Sequence, residues 1–157
     1  LKSPTINGRS SLKRMFDAAN EAVDFSDERC GQHINIGNKW MDSTIMRAVR
    51  DRGSDIFYPL ESYMAEHQQD TEKVCGRYFR SYCGQCGTAG GYHHGDWLNL
   101  EHGNRVEFRI SKFVTPTQYF DLVNMWVDML DMCGLTEKAA KETGKELVKI
   151  FQQYAQK

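Results

Sequence analysis

The sequence lacks the features of a membrane protein, of a secreted disulfide-rich protein and of a basic nucleic-acid-binding protein. No apolar run approaches the roughly 18 residues that a membrane-spanning helix needs, and these residues contain no signal-peptide pattern. The net charge of −1 provides no overall field that would attract nucleic acid or an anionic membrane. Five cysteines, an odd number, together with seven methionines favour a reducing, cytoplasmic setting over a disulfide framework.

The sequence also has no low-complexity linker, internal repeat or recognisable domain boundary. Its 157 residues, of which 40% are hydrophobic and 26% charged, are sufficient for one globular domain with a substantial core. We therefore expect a single domain over residues 1–157. Residues 1–4 resemble the end of a strand, so we expect this domain to be truncated at its N-terminus.

Apolar residues recur at helical spacing in six segments. Pro59 fits only the first turn of its helix, and Pro116 follows the capping residue Thr115 at the first helical position. Gly134 is expected to end that helix. The six predicted helices are one capped by Ser10 or Ser11, a short one capped by Asp42 or Ser43, and those over 55–67, 71–80, 116–134 and from Thr136 onward.

Three segments alternate between apolar and polar residues, as strands do: 31–37, 96–101 and 105–110. A three-residue turn over 102–104 joins the last two into a hairpin that pairs Asn99 with Glu107 and Trp97 with Arg109. Residues 83–91 contain four glycines and are expected to form a loop. The residues predicted to face away from the core are His33, Asn35, Trp97, Asn99, Glu101, Arg105, Glu107 and Arg109.

These elements predict an α+β fold in which a small antiparallel sheet has one apolar face covered by helices and one open polar face. On the open face, residues 105–110 place the carboxylate of Glu107 between the guanidiniums of Arg105 and Arg109. Such a pattern is suited to holding a metal ion and a phosphate together. It is also typical of an edge strand whose charged face is solvated, and the segment alone favours that alternative.

Four short motifs follow one another in a characteristic order. They are Cys-Gly-Gln-His-Ile-Asn-Ile at 30–36, Arg-Ser-Tyr-Cys at 80–83, Leu-Asn-Leu at 98–100, and Glu-Phe-Arg at 107–109 followed by Thr-Pro at 115–116 and an amphipathic helix. This ordered set, over roughly residues 1–130, resembles the amidoligase family of phages and bacteria. That family belongs to the carboxylate–amine ligase superfamily, with glutamine synthetase and gamma-glutamylcysteine ligase. The resemblance implies a glutamine synthetase-like catalytic domain.

By this resemblance, the chain would be an ATP- and metal-dependent ligase that joins a small-molecule or peptide carboxylate to an amine through an acyl phosphate. Glu107 and His33 would bind Mg²⁺ or Mn²⁺, and Arg109 would act with Glu107 as a catalytic residue by stabilising the transferring phosphate. Hard cations and a forked guanidinium suit this chemistry, because negative charge develops on the phosphoryl oxygens. The implied ATP contacts are Arg109, Asn35, Asn99, Arg105 and Arg80.

Two departures from the family pattern motivate a different hypothesis. The family often has a second histidine where this chain has Asn35, and its acidic early strand would lie upstream of Leu1. The chain could therefore be a non-catalytic binding protein on the same scaffold, such as a phage-encoded inhibitor or assembly factor with a protein partner.

A second metal hypothesis involves the cysteines. Cys83 and Cys86 form a Cys-x-x-Cys motif, with Cys75 upstream and His93 and His94 downstream, and thiolates and imidazoles at such spacing can bind zinc. The alternative is that Cys75 faces the core while the other two thiols bind no metal.

Zinc at this position would fit a small nucleic-acid-binding module. Basic residues and aromatic residues alternate just upstream of the cysteine pair, over 73–82, but the near-zero net charge disfavours nucleic acid as a partner. Cys133 is expected to be a buried helix residue.

Overall fold

The computed structural model describes residues 8–22, 33–37, 43–76, 86–87, 96–102, 104–111, 116–133 and 136–157. It confirms the α+β class. The elements are α1 (Arg9–Ala22), β1 (Ile34–Gly37), α2 (Ser43–Glu66), α3 (Gln68–Cys75), β2 (Cys86–Gly87), β3 (Leu98–Asn99), β4 (Arg105–Phe108), α4 (Pro116–Asp131) and α5 (Glu137–Ala155). The predicted helix residues Val23, Asp42, Thr115 and Gly134 lie outside the described residues.

The sheet has the strand order β1-β4-β3-β2, with β4 antiparallel to both of its neighbours. The predicted pairing of Asn99 with Glu107 is confirmed, and Asn35 pairs with Glu107 from the other side. The predicted antiparallel sheet is confirmed for β1, β4 and β3, and the unpredicted strand β2 is added at one edge by a parallel pairing with β3. This two-residue strand lies in the segment predicted to be a loop. Its pairing uses backbone groups alone, which leave no periodic signal in the sequence.

The two faces of the sheet follow the predicted alternation with one exception. Ile34, Ile36 and Phe108 are buried as expected. Trp97 was predicted to share the open face with Asn99 but is fully buried in the core. It lies in a bend before β3 begins, where strand alternation does not yet apply, and burial of its large apolar ring is favourable.

Aromatic rings from the sheet and from two helices form the centre of the core. The Trp97 ring lies 6.0 Å from Phe57 of α2, and Phe108 stacks on Trp126 of α4 at 4.3 Å between centroids. The Trp97 indole N–H donates to Glu61 Oε2 at 3.0 Å, so the buried ring keeps a polar partner. Helices α2 and α4 therefore cover the apolar face of the sheet. None of the described helices is long and apolar enough to cross a membrane.

Helix α2 corrects the prediction of two separate helices, because it runs unbroken over 24 residues with Pro59 in its interior. An interior proline costs a helix about 3 kcal/mol. Burial of Ile56, Phe57 and Leu60 on either side of the proline offsets this cost. Pro59 also packs directly against Gly144 of α5. Tertiary packing therefore overrides the local signal.

Two other helix boundaries differ from the prediction. Helix α1 begins at Arg9, before the expected caps, because the Gly8 carbonyl accepts the Leu12 N–H at 3.1 Å. Helix α3 covers Gln68–Cys75, so it begins before the predicted residue 71, and it ends where Gly76 takes a left-handed conformation with φ of 68°. Residues 77–80 of the predicted helix lie outside the described residues.

The last two helices start as predicted. Helix α4 begins at Pro116, and Thr136 caps α5 by accepting the Ala139 N–H at 3.1 Å.

We expect Gly144→Ala to destabilise the protein. The added Cβ would lie 2.8 Å from the Ile56 carbonyl oxygen and 2.8 Å from Pro59 Cγ, and a backbone oxygen cannot move aside easily. Alanine favours a helix by about 1 kcal/mol over glycine. Overpacking costs about 1–3 kcal/mol, and two contacts at 2.8 Å, one with a backbone oxygen, place this variant in the upper part of that range, at about 2–3 kcal/mol. Denaturant unfolding should therefore give a net loss of about 1–2 kcal/mol.

The matched control is Lys145→Ala, at the exposed neighbouring position of the same helix. It should change the free energy of unfolding by less than about 0.5 kcal/mol. Equal stability of Gly144→Ala and the wild type would contradict the close packing of α2 against α5.

Candidate functional site

The polar face of the sheet brings three predicted site residues together. Asn35 of β1, Glu107 of β4 and Asn99 of β3 are register partners on adjacent strands. Because paired residues of antiparallel strands have Cβ atoms about 5 Å apart, their side chains lie within reach of one another. We call this set, together with His33, Arg105 and the turn residue His102, the polar cluster.

Glu107 is the centre of the polar cluster. Its side chain is only 13% exposed, and its Oε1 lies 3.0 Å from His33 Nδ1. Its Oε2 accepts the Asn99 side-chain N–H at 3.0 Å and lies 3.4 Å from His102 Nε2. The carboxylate is thus flanked by two imidazoles, an arrangement that the alternating Arg-x-Glu-x-Arg sequence did not predict.

Asn99 is the buried part of the cluster, with 3% of its surface exposed. Its Oδ1 accepts the Glu101 backbone N–H at 3.0 Å, which fixes the orientation of the amide. Its Nδ2 therefore faces both Glu107 Oε2 and His102 Nε2, the latter at 3.2 Å. Asn99 links the strand pair to the turn.

Arg105 is held by two amide oxygens and one imidazole nitrogen. Its Nε donates to Asn35 Oδ1 at 3.0 Å, its Nη1 to Asn104 Oδ1 at 3.3 Å, and its Nη2 to His102 Nε2 at 3.2 Å. Within the described part of the chain, no carboxylate lies within 4.0 Å of this guanidinium, whereas Arg9 pairs with Asp128 at 2.5 Å. A guanidinium has five N–H groups. Two of those of Arg105 remain available to an anion.

His102 is the site residue that sequence reasoning missed. It was interpreted only as part of the hairpin turn. Its position could have identified it as a site residue, because the turn connects the two strands that carry Asn99 and Glu107. A polar ring in such a turn can fold back over the polar face.

Arg109, the other predicted catalytic residue, follows the end of β4. It is partly buried, and its backbone N–H donates to the Trp97 carbonyl at 2.7 Å, as the predicted pairing of these two residues requires. Arg80, the remaining predicted ATP contact, lies outside the described residues.

The zinc hypothesis falls mostly on residues that are not described. Cys83, His93 and His94 lie outside the described residues, and Cys86 is described only as part of β2. Cys75 is fully buried in α3, in line with the core-facing alternative.

Cys133 is buried as expected, but it is not a helix residue as predicted, because α4 ends at Asp131. Burial, and secondarily the nearby charge of Asp131, raises the pKa of its thiol to about 12. Its Sγ donates to the Met129 carbonyl at 3.5 Å. The group is a packed core residue and not a reactive thiolate.

The polar cluster could supply two ligands to a divalent cation. Among the described residues, no group of three or more histidine, cysteine, aspartate or glutamate side chains is arranged to hold a metal ion. Glu107 Oε1 and His33 Nδ1 are 3.0 Å apart. That is close to the separation of neighbouring ligands around an octahedral cation with bonds of about 2.1 Å. Mg²⁺ and Mn²⁺ prefer oxygen ligands and commonly take several of them from water and substrate phosphates, so Glu107 suits such an ion better than the imidazole of His33 does.

The two asparagines provide a test of the cluster's electrostatics. Asn99→Asp would put a buried carboxyl next to Glu107 Oε2. We expect it to lower the free energy of unfolding by about 2 kcal/mol at pH 7. The neighbouring carboxylate raises the folded-state pKa of the introduced carboxyl. The loss should therefore be absent below about pH 4, the unfolded-state pKa, and develop as the pH rises.

Asn35→Asp is the matched control, since Asn35 is exposed and its Oδ1 faces the Arg105 guanidinium. It should change the stability at pH 7 by less than about 1 kcal/mol. Denaturant unfolding at pH 4 and pH 7 compares the two variants. An equal effect of both substitutions would contradict the described positions of the charges.

Comparison with known proteins adds no further constraint on the site. The chain matches no protein-family model, no curated protein and no solved structure. Any function must therefore be argued from the polar cluster and the sequence motifs themselves.

Proposed function

We propose that this chain is an ATP- and divalent-cation-dependent carboxylate–amine ligase on a glutamine synthetase-like scaffold, as its ordered motifs imply. The observation that carries the proposal is the separation of charges on β4. Glu107 and Arg105 share one face of the strand, yet the carboxylate contacts the His33 imidazole and the Asn99 amide, and the guanidinium contacts an amide oxygen and an imidazole nitrogen. Each charge therefore stays available to a ligand.

The reaction needs both charges. A carboxylate oxygen of the acyl donor attacks the γ-phosphorus of ATP, and the bond to the ADP oxygen breaks. The amine then attacks the acyl carbon, phosphate leaves, and the new amide nitrogen loses a proton. Negative charge on the phosphoryl oxygens grows or moves in both steps, so preoriented positive groups lower the barrier.

The acidic residue of the site would bind the cation, and its arginines would bind phosphate oxygens. Glu107 and His33 would hold Mg²⁺ or Mn²⁺, and the bound ion would neutralise phosphate oxygens. Arg105 presents its two remaining N–H groups to the same class of oxygen. Arg109 stands two positions beyond Glu107 on the same chain segment, where the family motif has its phosphate-contacting arginine.

A non-catalytic binding protein is the second candidate, and one contact favours it. The family often has a histidine at the position of Asn35, but here the amide oxygen accepts the Arg105 Nε–H at 3.0 Å. Asn35 thus serves to orient an anion-binding group rather than to bind a metal. An oriented anion-binding group is sufficient for a protein that binds a phosphorylated ligand without catalysing its reaction.

We expect phosphate release when the protein is incubated with ATP, Mg²⁺ or Mn²⁺ and a panel of carboxylates and amines. Glu107→Gln should lower the rate by about 10²–10³, because it removes one positioned charged group from the site. A coupled phosphate assay with mass spectrometry of the amide product provides the measurement.

The matched control is Glu142→Gln, which changes an exposed carboxylate on α5 and should leave the rate unchanged. Nucleotide binding without phosphate release, and without any effect of Glu107→Gln, would support the binding protein. Absence of both binding and release would reject the ligase.

A further inference from the structure

We propose that His102 is a positioning residue that prevents Arg105 and Glu107 from pairing with each other, and so keeps the guanidinium available to a polyphosphate or similar anion. The class of anion rests on the proposed function. The separation of the two charges rests on contacts within the polar cluster alone.

Arg105 and Glu107 would pair in the absence of an obstacle. They are two positions apart on one strand and therefore point to the same face, with Cα atoms about 6.6 Å apart. Long side chains of opposite charge bridge such a distance easily. His102 Nε2 instead contacts both groups, 3.2 Å from Arg105 Nη2 and 3.4 Å from Glu107 Oε2, and the two charges do not pair within 4.0 Å.

The hydrogen-bonding role of His102 follows from its neighbours. Arg105 Nη2 and Asn99 Nδ2 both lie 3.2 Å from Nε2, and both groups can only donate hydrogen bonds. Nε2 is therefore placed as an acceptor for both groups. The Asn99 amide also donates to Glu107 Oε2, so one NH₂ group contacts both the imidazole and the carboxylate.

A neutral acceptor orients the guanidinium without neutralising it. Asn35 and Asn104 hold the other nitrogens of Arg105 in the same way. The charge stays uncompensated, and the planar fork is fixed before a ligand arrives. A preoriented guanidinium is the usual means of binding phosphate oxygens through two parallel hydrogen bonds.

Loss of the His102 acceptor should therefore have a specific consequence. Arg105 would turn towards Glu107, and the new ion pair would occupy the guanidinium. Anion binding would fall although Arg105 itself is unchanged. Removal of the Glu107 charge should then restore binding, because nothing would capture the guanidinium.

The test measures binding of inorganic tripolyphosphate by calorimetry, with a chelator present so that no metal contributes. His102→Leu and His102→Gln are similar in size, and only the latter retains an acceptor oxygen. We expect His102→Leu to bind about tenfold more weakly than the wild type, as the loss of one charged contact would produce. His102→Gln should stay within about threefold, and Arg105→Ala should abolish binding.

The double variant His102→Leu/Glu107→Gln decides the mechanism, since it should bind as tightly as Glu107→Gln alone. A merely structural role of His102 would leave the double variant as weak as His102→Leu, and that result would overturn the proposal. Wild-type affinity in His102→Leu, or no tripolyphosphate binding by the wild type, would also overturn it. Circular dichroism on each variant checks that the fold is retained.

The outcome is distinguishable from that of the ligase assay. Tripolyphosphate binding requires neither ATP turnover nor a cation. A protein that follows the expected binding pattern but releases no phosphate from ATP loses the proposed function and keeps the role of His102. ATP turnover by a protein whose tripolyphosphate binding is unaffected by His102→Leu keeps the proposed function and rejects the role of His102.

Discussion

The pairing of β4 with a strand on each side is the constraint on which the rest of the structure depends. Because successive residues of a strand point to opposite faces, this one strand supplies Val106 and Phe108 to the core and Arg105 and Glu107 to the polar cluster. A shift of one residue in its register would exchange the two sets. The aromatic packing beneath the sheet therefore fixes the geometry above it.

Aromatic packing on the apolar face of the sheet holds β4 strongly in its register. Phe108 stacks on Trp126 and lies against the Trp97 ring, and all three side chains are fully buried. Edge-to-face and offset ring contacts add about 0.5–1.5 kcal/mol each beyond burial. The polar side contributes in a different way. Its hydrogen bonds run across three strands and a turn, and they determine which charges meet.

The sequence predicted the elements that depend on local patterns. Alternation located β1, β3 and β4, and the proline at 116 and the threonine at 136 located the starts of the last two helices. Tertiary effects explain the failures. Pro59 indicates a helix boundary in the sequence, yet burial of the residues on both sides of it keeps α2 continuous. The Trp97 side chain does not follow the strand alternation, because the core can enclose its ring.

The sequence predicted which residues belong to the candidate site, but not which of their side chains contact one another. The positions of His33, Asn35, Asn99 and Glu107 on one face follow from alternation and hairpin register. The choice of partners does not, since it depends on rotamers and on the turn. Glu107 contacts imidazoles rather than the neighbouring arginine because His102 folds over the face, and no periodicity contains that information.

The position of β4 between β1 and β3 also suggests an order in which the contacts of the site form during folding. The β3–β4 hairpin pairs residues only eight positions apart in sequence, as in the Asn99–Glu107 contact, whereas Asn35 and Arg105 are separated by 70. Closing a long loop costs more chain entropy than closing a short one, so the hairpin is the easier pairing to form. Asn99, His102, Arg105 and Glu107 can thus gather within one local unit. The contacts from His33 and Asn35 complete the site only when the distant strand β1 docks.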